Sequence, residues 1–149
     1  MLFRSLVEEV IPEGATVIDV GSGAGLPGIP LAIVRPDLHM TLLEPLLRRS
    51  TFLEETVADL GIPVSVVRGR AEDKVVPPAD VVTARAVAPL ERLVGWCWPL
   101  VRPGGSLVAL KGDRAQEEVE EAEPRLLKSG LTATIRPAGN TTVVVVTGR

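Results

Sequence analysis

Three glycines at alternate positions, directly after a β-branched run, constrain this chain more than any other feature. Val17-Ile-Asp-Val-Gly-Ser-Gly-Ala-Gly-Leu-Pro-Gly28 begins as a short apolar strand and bends through Gly21, Gly23 and Gly25. It then enters an apolar stretch, Gly28 to Val34, that stops before Pro36. A strand, a glycine-rich turn and a helix in that order open a βαβ unit. Glycine lets the backbone turn sharply and approach a ligand with no Cβ in the way. Three of them, with the acid Asp19 at the strand end, exceed what a tight turn alone requires.

The rest of the chain repeats the alternation. Thr16–Val20, His39–Glu44, Val64–Val67, Asp80–Ala84 and Ser106–Leu110 read as five strands. Between them, Leu46–Leu60 carries a helical apolar stripe closed by Gly61, and Pro89–Trp98 reads as a helix with proline in its first turn. Arg102–Gly105 reads as a turn. Asp113–Lys128 reads as a polar, solvent-facing helix, with a kink or break at Pro124. Leu131–Arg136 and Thr142–Thr147 have no helix between them, only Pro137-Ala-Gly-Asn140, so they pair as a hairpin. The expectation is one α/β domain over residues 1–149: a mainly parallel seven-stranded sheet with helices on both faces and one antiparallel strand from the C-terminal hairpin. Ligands in such a sheet bind beyond the carboxyl ends of the strands, at the point where strand order reverses.

Composition narrows the function classes. With 149 residues, 46% of them hydrophobic, the chain can bury a core without disulfides or metals. No apolar run reaches the length of a membrane span, and Met1–Val10 lacks a signal-peptide core. Its single cysteine, Cys97, excludes an intramolecular disulfide framework and a cysteine-rich zinc site. A soluble, monomeric, cytoplasmic protein with no membrane partner is expected. The formal net charge of -3 argues against indiscriminate nucleic-acid binding. Six acids, however, fall in Asp113–Glu123, and the remaining sequence holds 15 basic and 13 acidic residues, so a local basic face is available.

Four stations bear on the ligand. The first is the glycine loop. Gly23-Ala-Gly-Leu-Pro-Gly28 matches the dinucleotide pattern G-x-G-x-x-G, but it starts two residues after the first loop glycine and contains Pro27. A carboxylate at Asp19 pointing into the loop would repel a pyrophosphate and attract a sulfonium or ammonium group. This order favours S-adenosylmethionine (SAM) over a nicotinamide dinucleotide, which stays as the alternative. The second station is Glu44, 19 residues beyond Gly25 at the end of a strand, where an acid accepts hydrogen bonds from ribose hydroxyls of either ligand. The third is Arg68-Gly-Arg-Ala-Glu-Asp73, where backbone groups of Ala71 and Glu72 can read an adenine. The fourth is Thr83-Ala-Arg-Ala86, where Arg85 can grip a carboxylate or phosphate. Lys111, after the fifth strand, is a further candidate for positioning a substrate.

Together these stations resemble the SAM-dependent methyltransferases of class I, which have a Rossmann-like fold. The wording Asp-Val-Gly-Ser-Gly-Ala-Gly-Leu-Pro-Gly-Ile-Pro30, Leu43-Glu-Pro45, the Ala-Arg-Ala86 strand end and Ala109-Leu-Lys-Gly112 is similar to one family within them, the bacterial 16S ribosomal RNA guanine-N7 methyltransferase G family, also called glucose-inhibited division protein B. The resemblance runs from about Leu2 to Thr147. It implies a cofactor site on Gly21, Leu26, Ala71, Glu72 and Arg85, with Glu44 at the ribose and Asp19 and Gly23 lining the loop. It also implies a 16S ribosomal RNA or small-subunit substrate. Members of the family usually carry a further N-terminal helical segment, which this sequence is expected to lack, leaving a non-catalytic SAM-binding remnant as a further alternative.

Transfer to guanine N7 needs no general base, because N7 carries a free lone pair, and no catalytic residue is assigned. Other acceptors fit less well. The Asn/Asp-Pro-Pro-aromatic loop common in amino-nitrogen methylation is replaced by Thr83-Ala-Arg-Ala86. Cys97, between Trp96 and Trp98 on a helix, reads as core rather than as a nucleophile. Arginines 48, 49, 68, 70, 85 and 92 are available for RNA phosphates. Aromatics for base stacking are limited to Phe3, Phe52, Trp96 and Trp98, with Phe52 expected on the apolar side of its helix.

Overall fold

A computed structural model describes residues 9–85, 88–138 and 141–148. Its frame is a seven-stranded sheet: β1 (Thr16–Val20), β2 (His39–Glu44), β3 (Ser65–Arg68), β4 (Ala79–Ala84), β5 (Val101–Leu110), β6 (Leu131–Ala138) and β7 (Thr141–Gly148), in the spatial order β3-β2-β1-β4-β5-β7-β6. Strands β1 to β5 are parallel, while β7 runs antiparallel to both β5 and β6. The expected mainly parallel sheet with one antiparallel strand is therefore present. Chain order runs outward from β1 to β3 and then crosses back to β4 on the other side of β1. Strand order thus reverses between β1 and β4.

Among the described residues the sheet is covered by helices α1 (Gly28–Val34), α2 (Leu47–Leu60), α3 (Leu90–Cys97) and α4 (Ala115–Lys128). The period-2 alternation of strand side chains sends neighbours to opposite faces. Val17, Leu42, Val81, Val108 and Val143 share a core with Ile29 and Leu31 of α1 and with Leu53 and Val57 of α2. Ile18, Leu43, Val82, Leu107 and Val144 pack instead with Leu90, Leu93 and Cys97 of α3 and with Ala115, Ala122 and Leu126 of α4. Both faces are buried, which explains why the strands read as continuous apolar runs. Leu53, with no exposed surface, anchors α2 to this sheet. Leu53→Ala should cost about 2–5 kcal/mol of stability, read from urea unfolding.

Two local expectations change. Arg102–Gly105 lies inside β5, not before it. The register passes from Ala79 opposite Val101 to Val81 opposite Ser106, so the extra residues leave the ladder as a bulged excursion that makes the bend within the strand. The C-terminal acidic helix reaches Lys128 as expected and runs through Pro124 without a break. Ala122 and Leu126, on either side of the proline, are buried in the core and hold that turn against the sheet. Gly139 and Asn140 of the expected hairpin turn, Ala86 and Phe3 lie outside the described residues. Among the described residues, no helix is long and apolar enough to cross a membrane.

Candidate functional site

The carboxyl ends of β1, β2 and β3 open onto a cleft of about 410 Å³ lined by Val20, Gly21, Pro45, Leu46, Gly69, Arg70, Ala71, Glu72 and Trp96. Three of the residues expected to hold the cofactor, Gly21 from the loop after β1 and Ala71 and Glu72 from the loop after β3, meet here. Gly21 has φ +65° and donates its N–H to the Leu43 carbonyl at 2.8 Å, which pins the turn across to β2. A Cβ at Gly21 would meet no protein atom within 4 Å. Gly21 is itself one of the residues that line the cleft. Ala71 is buried and opens a 3-10 turn, Ala71–Asp73, that is held by the Arg70 N–H donating to Asp73 Oδ2 at 2.9 Å. Glu72 is exposed on the cleft wall. Ala71, Glu72 and Trp96 also line a second hollow of about 640 Å³, walled by Val75, Val76, Pro77 and Pro78. A third hollow, of about 610 Å³, lies by the amino ends of β1 and β4 around Gly14, Asp80, Gly104 and Arg136, away from the carboxyl ends where ligands bind in this architecture.

Glu44 ends β2 almost wholly buried. Its Oε1 accepts the Gly23 N–H and its Oε2 accepts the Leu46 N–H, each at 2.9 Å. The side chain therefore joins the glycine loop to the start of α2. A carboxylate has about four acceptor positions, so each oxygen keeps one for a further donor.

Asp19 requires a correction. The sequence suggests a carboxylate facing a positively charged ligand, but the side chain turns inward and has no exposed surface. Its Oδ2 accepts Ser22 Oγ–H at 2.8 Å and the Gly28 N–H at 3.1 Å, and its Oδ1 accepts Thr83 Oγ1–H at 2.8 Å. Burial raises its pKa to about 6, opposed by the hydrogen bonds from Thr83, Ser22 and Gly28. Asp19 ties together the glycine loop, the start of α1 and the neighbouring strand β4. It shapes the loop from behind, and a charge-based choice between ligand classes cannot rest on it. The loop is tight around this brace: a Cβ on Gly28 would stand 2.7 Å from Asp19 Oδ2 and also collide with Leu42. Gly28→Ala should therefore lower stability by about 1–3 kcal/mol, measurable as a fall in urea midpoint without change in slope.

The other candidates divide. Arg85 is exposed directly after β4, on the far side of β1 from β2. Leu26 is 44% exposed on the glycine loop and Gly23 is half-buried; neither is among the cleft-lining residues. Lys111 is also corrected. Its side chain is only 2% exposed, and its ammonium donates to the Ala88 carbonyl and to Glu118 Oε1, so it braces the fold and offers no free charge to a substrate. Phe52 is 49% exposed instead of packed on the apolar side of its helix. Cys97 is fully buried, with its thiol pushed up to about 12, first by burial and then by the charge of Glu72; both favour the neutral form, which fits a core role. Sequence reasoning did not single out Thr83 and Ser22 as partners of Asp19, or Trp96 and Leu46 as cleft walls. Leu46, one residue before an apolar-striped helix, reads as core but is 52% exposed. Among the described residues no group of His, Cys, Asp and Glu could hold a metal.

A parallel sheet reversing between β1 and β4, closed by an antiparallel β7 and carrying a glycine loop over its strand ends, is the Rossmann-like fold of class I methyltransferases. Solved structures share it: a ribosomal protein L11 methylase from Lactobacillus delbrueckii matches 99% of this chain and 77% of its own at a TM-score of 0.78 and 18% identity. A SAM-dependent methyltransferase from Aquifex aeolicus matches 97% of this chain and 87% of its own at 0.74 and 21%. Within that class, the chain belongs to the rRNA small subunit methyltransferase G family, whose model matches residues 4–142. Relatives bearing that name include one from Streptomyces avermitilis, 60% identical over 137 residues that make up 90% of this chain and 58% of the relative. Another, from Thermobifida fusca, is 57% identical over 152 residues, or 96% and 64%. The chain thus spans about three fifths of the length of these relatives.

Proposed function

We propose that this chain binds SAM in the cleft over β1, β2 and β3 and transfers its methyl group to N7 of a guanine in 16S ribosomal RNA of the small subunit. The observation that supports this most is the convergence of Gly21, Ala71 and Glu72 on one cleft beside Glu44, in a chain of the methyltransferase G family. The open space before Gly21 and the spare acceptor positions on Glu44 suit a nucleoside. In this reading Glu44 accepts the ribose hydroxyls, backbone groups at Ala71 and Glu72 meet the adenine edge, and Gly21 lets the main chain approach closely. Gly23 and Leu26 shape the loop, while Arg85 holds a carboxylate or an RNA phosphate. Asp19 acts from behind, by fixing the loop.

When bound, SAM would supply an electrophilic methyl carbon on a sulfonium, with a neutral thioether as the leaving group and the guanine nitrogen as the acceptor. Because N7 has a lone pair and no proton, the protein's task is placement. Holding acceptor and donor in a reactive orientation can supply about 7–11 kcal/mol. The exposed arginines 48, 49, 68, 70 and 85 lie on elements at the same end of the sheet and provide phosphate contacts around the cleft.

With tritiated SAM and small ribosomal subunits, the expected result is label in 16S ribosomal RNA as 7-methylguanine. Saturable SAM binding without transfer would select the cofactor-binding remnant. Binding of NADH with no response to SAM would select a reductase.

A further inference from the structure

Phe52 stands out in solvent on a helix whose apolar side is buried. The buried residues of α2 are Ser50, Leu53 and Val57. Position 52 is turned about 100° from Leu53, and the residue is left 49% exposed. Its surface neighbours toward the start of the helix are three and four residues earlier. These are Arg49 and Arg48, both exposed. Among the described residues, neither guanidinium has a hydrogen-bond or ion-pair partner. Arg49 Nη1 lies 4.0 Å from where a Cβ would stand on Gly23, so this guanidinium rests against the glycine loop. Leu46, just before α2, is a wall of the cofactor cleft, about 9 Å along the helix from Phe52. Stability does not account for this arrangement. An exposed ring gains little from the core. Both arginines fall in the first turn of α2, where a cation opposes the helix dipole, and that turn has no acid and no side-chain cap to balance them. The acids Glu54, Glu55 and Asp59 come later and are exposed. The helix is therefore basic toward the cleft and acidic away from it.

We propose that Phe52, flanked by Arg48 and Arg49, is a stacking platform for an unpaired base of the RNA substrate, beside the nucleotide that enters the cleft. This inference rests on the reading of the chain as an enzyme acting on ribosomal RNA, and it adds that the RNA is single-stranded where it crosses α2. A guanidinium offers paired donors to phosphate oxygens, and an aromatic face accepts any base. Together they suit a strand that carries both groups. Bases inside a duplex are stacked on both sides and closed to a side chain, so a ring at the rim serves only a strand whose bases are splayed out. The acids beyond Phe52 repel phosphate and keep such a strand at the cleft end of the helix.

The sequence has two phenylalanines, Phe3 and Phe52. Labelling with para-fluorophenylalanine therefore gives two fluorine NMR signals, and Phe52→Leu identifies which is which. The labelled protein is titrated with a short single-stranded RNA free of self-complementarity, with the same strand lacking its bases, and with a short RNA duplex. The Phe52 signal should move saturably with the first and stay in place with the other two. Phe52→Leu should weaken binding of the strand about fivefold or more, and Phe52→Trp should bind it as wild type does. Both variants should bind S-adenosylhomocysteine within about twofold of wild type, because Phe52 is not among the cleft-lining residues. Arg48→Gln should lower the slope of log affinity against log salt by about 0.7, while Phe52→Leu leaves the slope unchanged. A Phe52 signal that ignores a saturating strand, or that moves equally with the baseless one, overturns the proposal. So does the absence of strand binding. A Phe52 signal that moves with protein concentration when no RNA is present also overturns it, by marking the face as a contact between copies. The titration needs no methyl donor. If wild type transfers no methyl group to small subunits while Phe52 responds as expected, the methyl-transfer reading fails and the platform stands.

Discussion

Gly21→Val should weaken binding of S-adenosylhomocysteine by about 100-fold or more, a loss of roughly 2.7 kcal/mol, while leaving a folded protein. Two effects act together. Gly21 has φ +65°, where a side chain costs about 1–2 kcal/mol, most for a β-branched one. Its missing Cβ also faces open space at the cleft wall, so a valine would occupy the volume assigned to the ligand. Gly61→Val separates the two effects. Gly61 ends α2 at φ +64°, likewise with no atom within 4 Å of a built Cβ, but it is not among the cleft-lining residues. It should show a similar loss of stability in urea with unaltered affinity by calorimetry. Equal losses of affinity in both variants would mean that loop strain, not blockage, is at work.

Asp19→Asn should make the ligand-free protein more stable at neutral pH, against the usual cost of changing a buried, fully bonded residue. The carboxyl titrates at about 6 in the folded chain against an ordinary 3.8, so folding favours its protonated form. Its contribution is complete below about pH 4, declines as pH rises through about 6, and is absent above that. At about 1.4 kcal/mol per pH unit, the ionised side chain costs the fold about 3 kcal/mol at pH 7.5. Asparagine keeps an acceptor for Ser22 and the Gly28 N–H, and Thr83, a hydroxyl, can turn from donor to acceptor. Urea midpoints measured from pH 4 to 8 should show wild type losing stability between about 4 and 6 more steeply than Asp19→Asn. Asp19→Ala should be destabilised by about 2–4 kcal/mol at pH 4, because three buried donors lose their acceptor, with the deficit shrinking as pH rises through about 6, and the slackened loop should lose S-adenosylhomocysteine affinity as well. An asparagine variant less stable than wild type at pH 7.5 would contradict this account of the brace.

The architecture was legible because it rests on periodicity. Alternating β-branched runs and helical stripes gave five parallel strands, and the absence of a helix before Thr141–Gly148 gave the antiparallel β7. Boundaries were missed where tertiary contacts override local signals. Arg102-Pro-Gly-Gly105 has the composition of a turn, but β4 pairs on both sides of it and draws it into β5. Pro124 has the chemistry of a helix breaker, but the buried residues on either side hold its helix. The cleft was legible in part, because glycines and strand-end acids sit at fixed places in such a sheet. What sequence could not supply was direction. Asp19, Lys111 and Glu118 are charged residues whose natural reading is outward, and each turns inward toward partners distant in sequence, Thr83 for one and the Leu90 N–H and Ala88 carbonyl for the others. A charged residue on an otherwise buried helical stripe, as at Glu118, was the one local sign of this.

The central claim is that the nucleoside site is the cleft at the carboxyl ends of β1, β2 and β3. An NMR titration of the labelled protein with S-adenosylhomocysteine tests it most directly. The amides of Gly21, Gly23, Leu46, Ala71 and Glu72 should shift in a saturable way, with Gly14, Gly104 and Arg136 around the hollow by the amino ends of β1 and β4 unmoved. Shifts confined to that hollow, or no saturable shift anywhere, would contradict it.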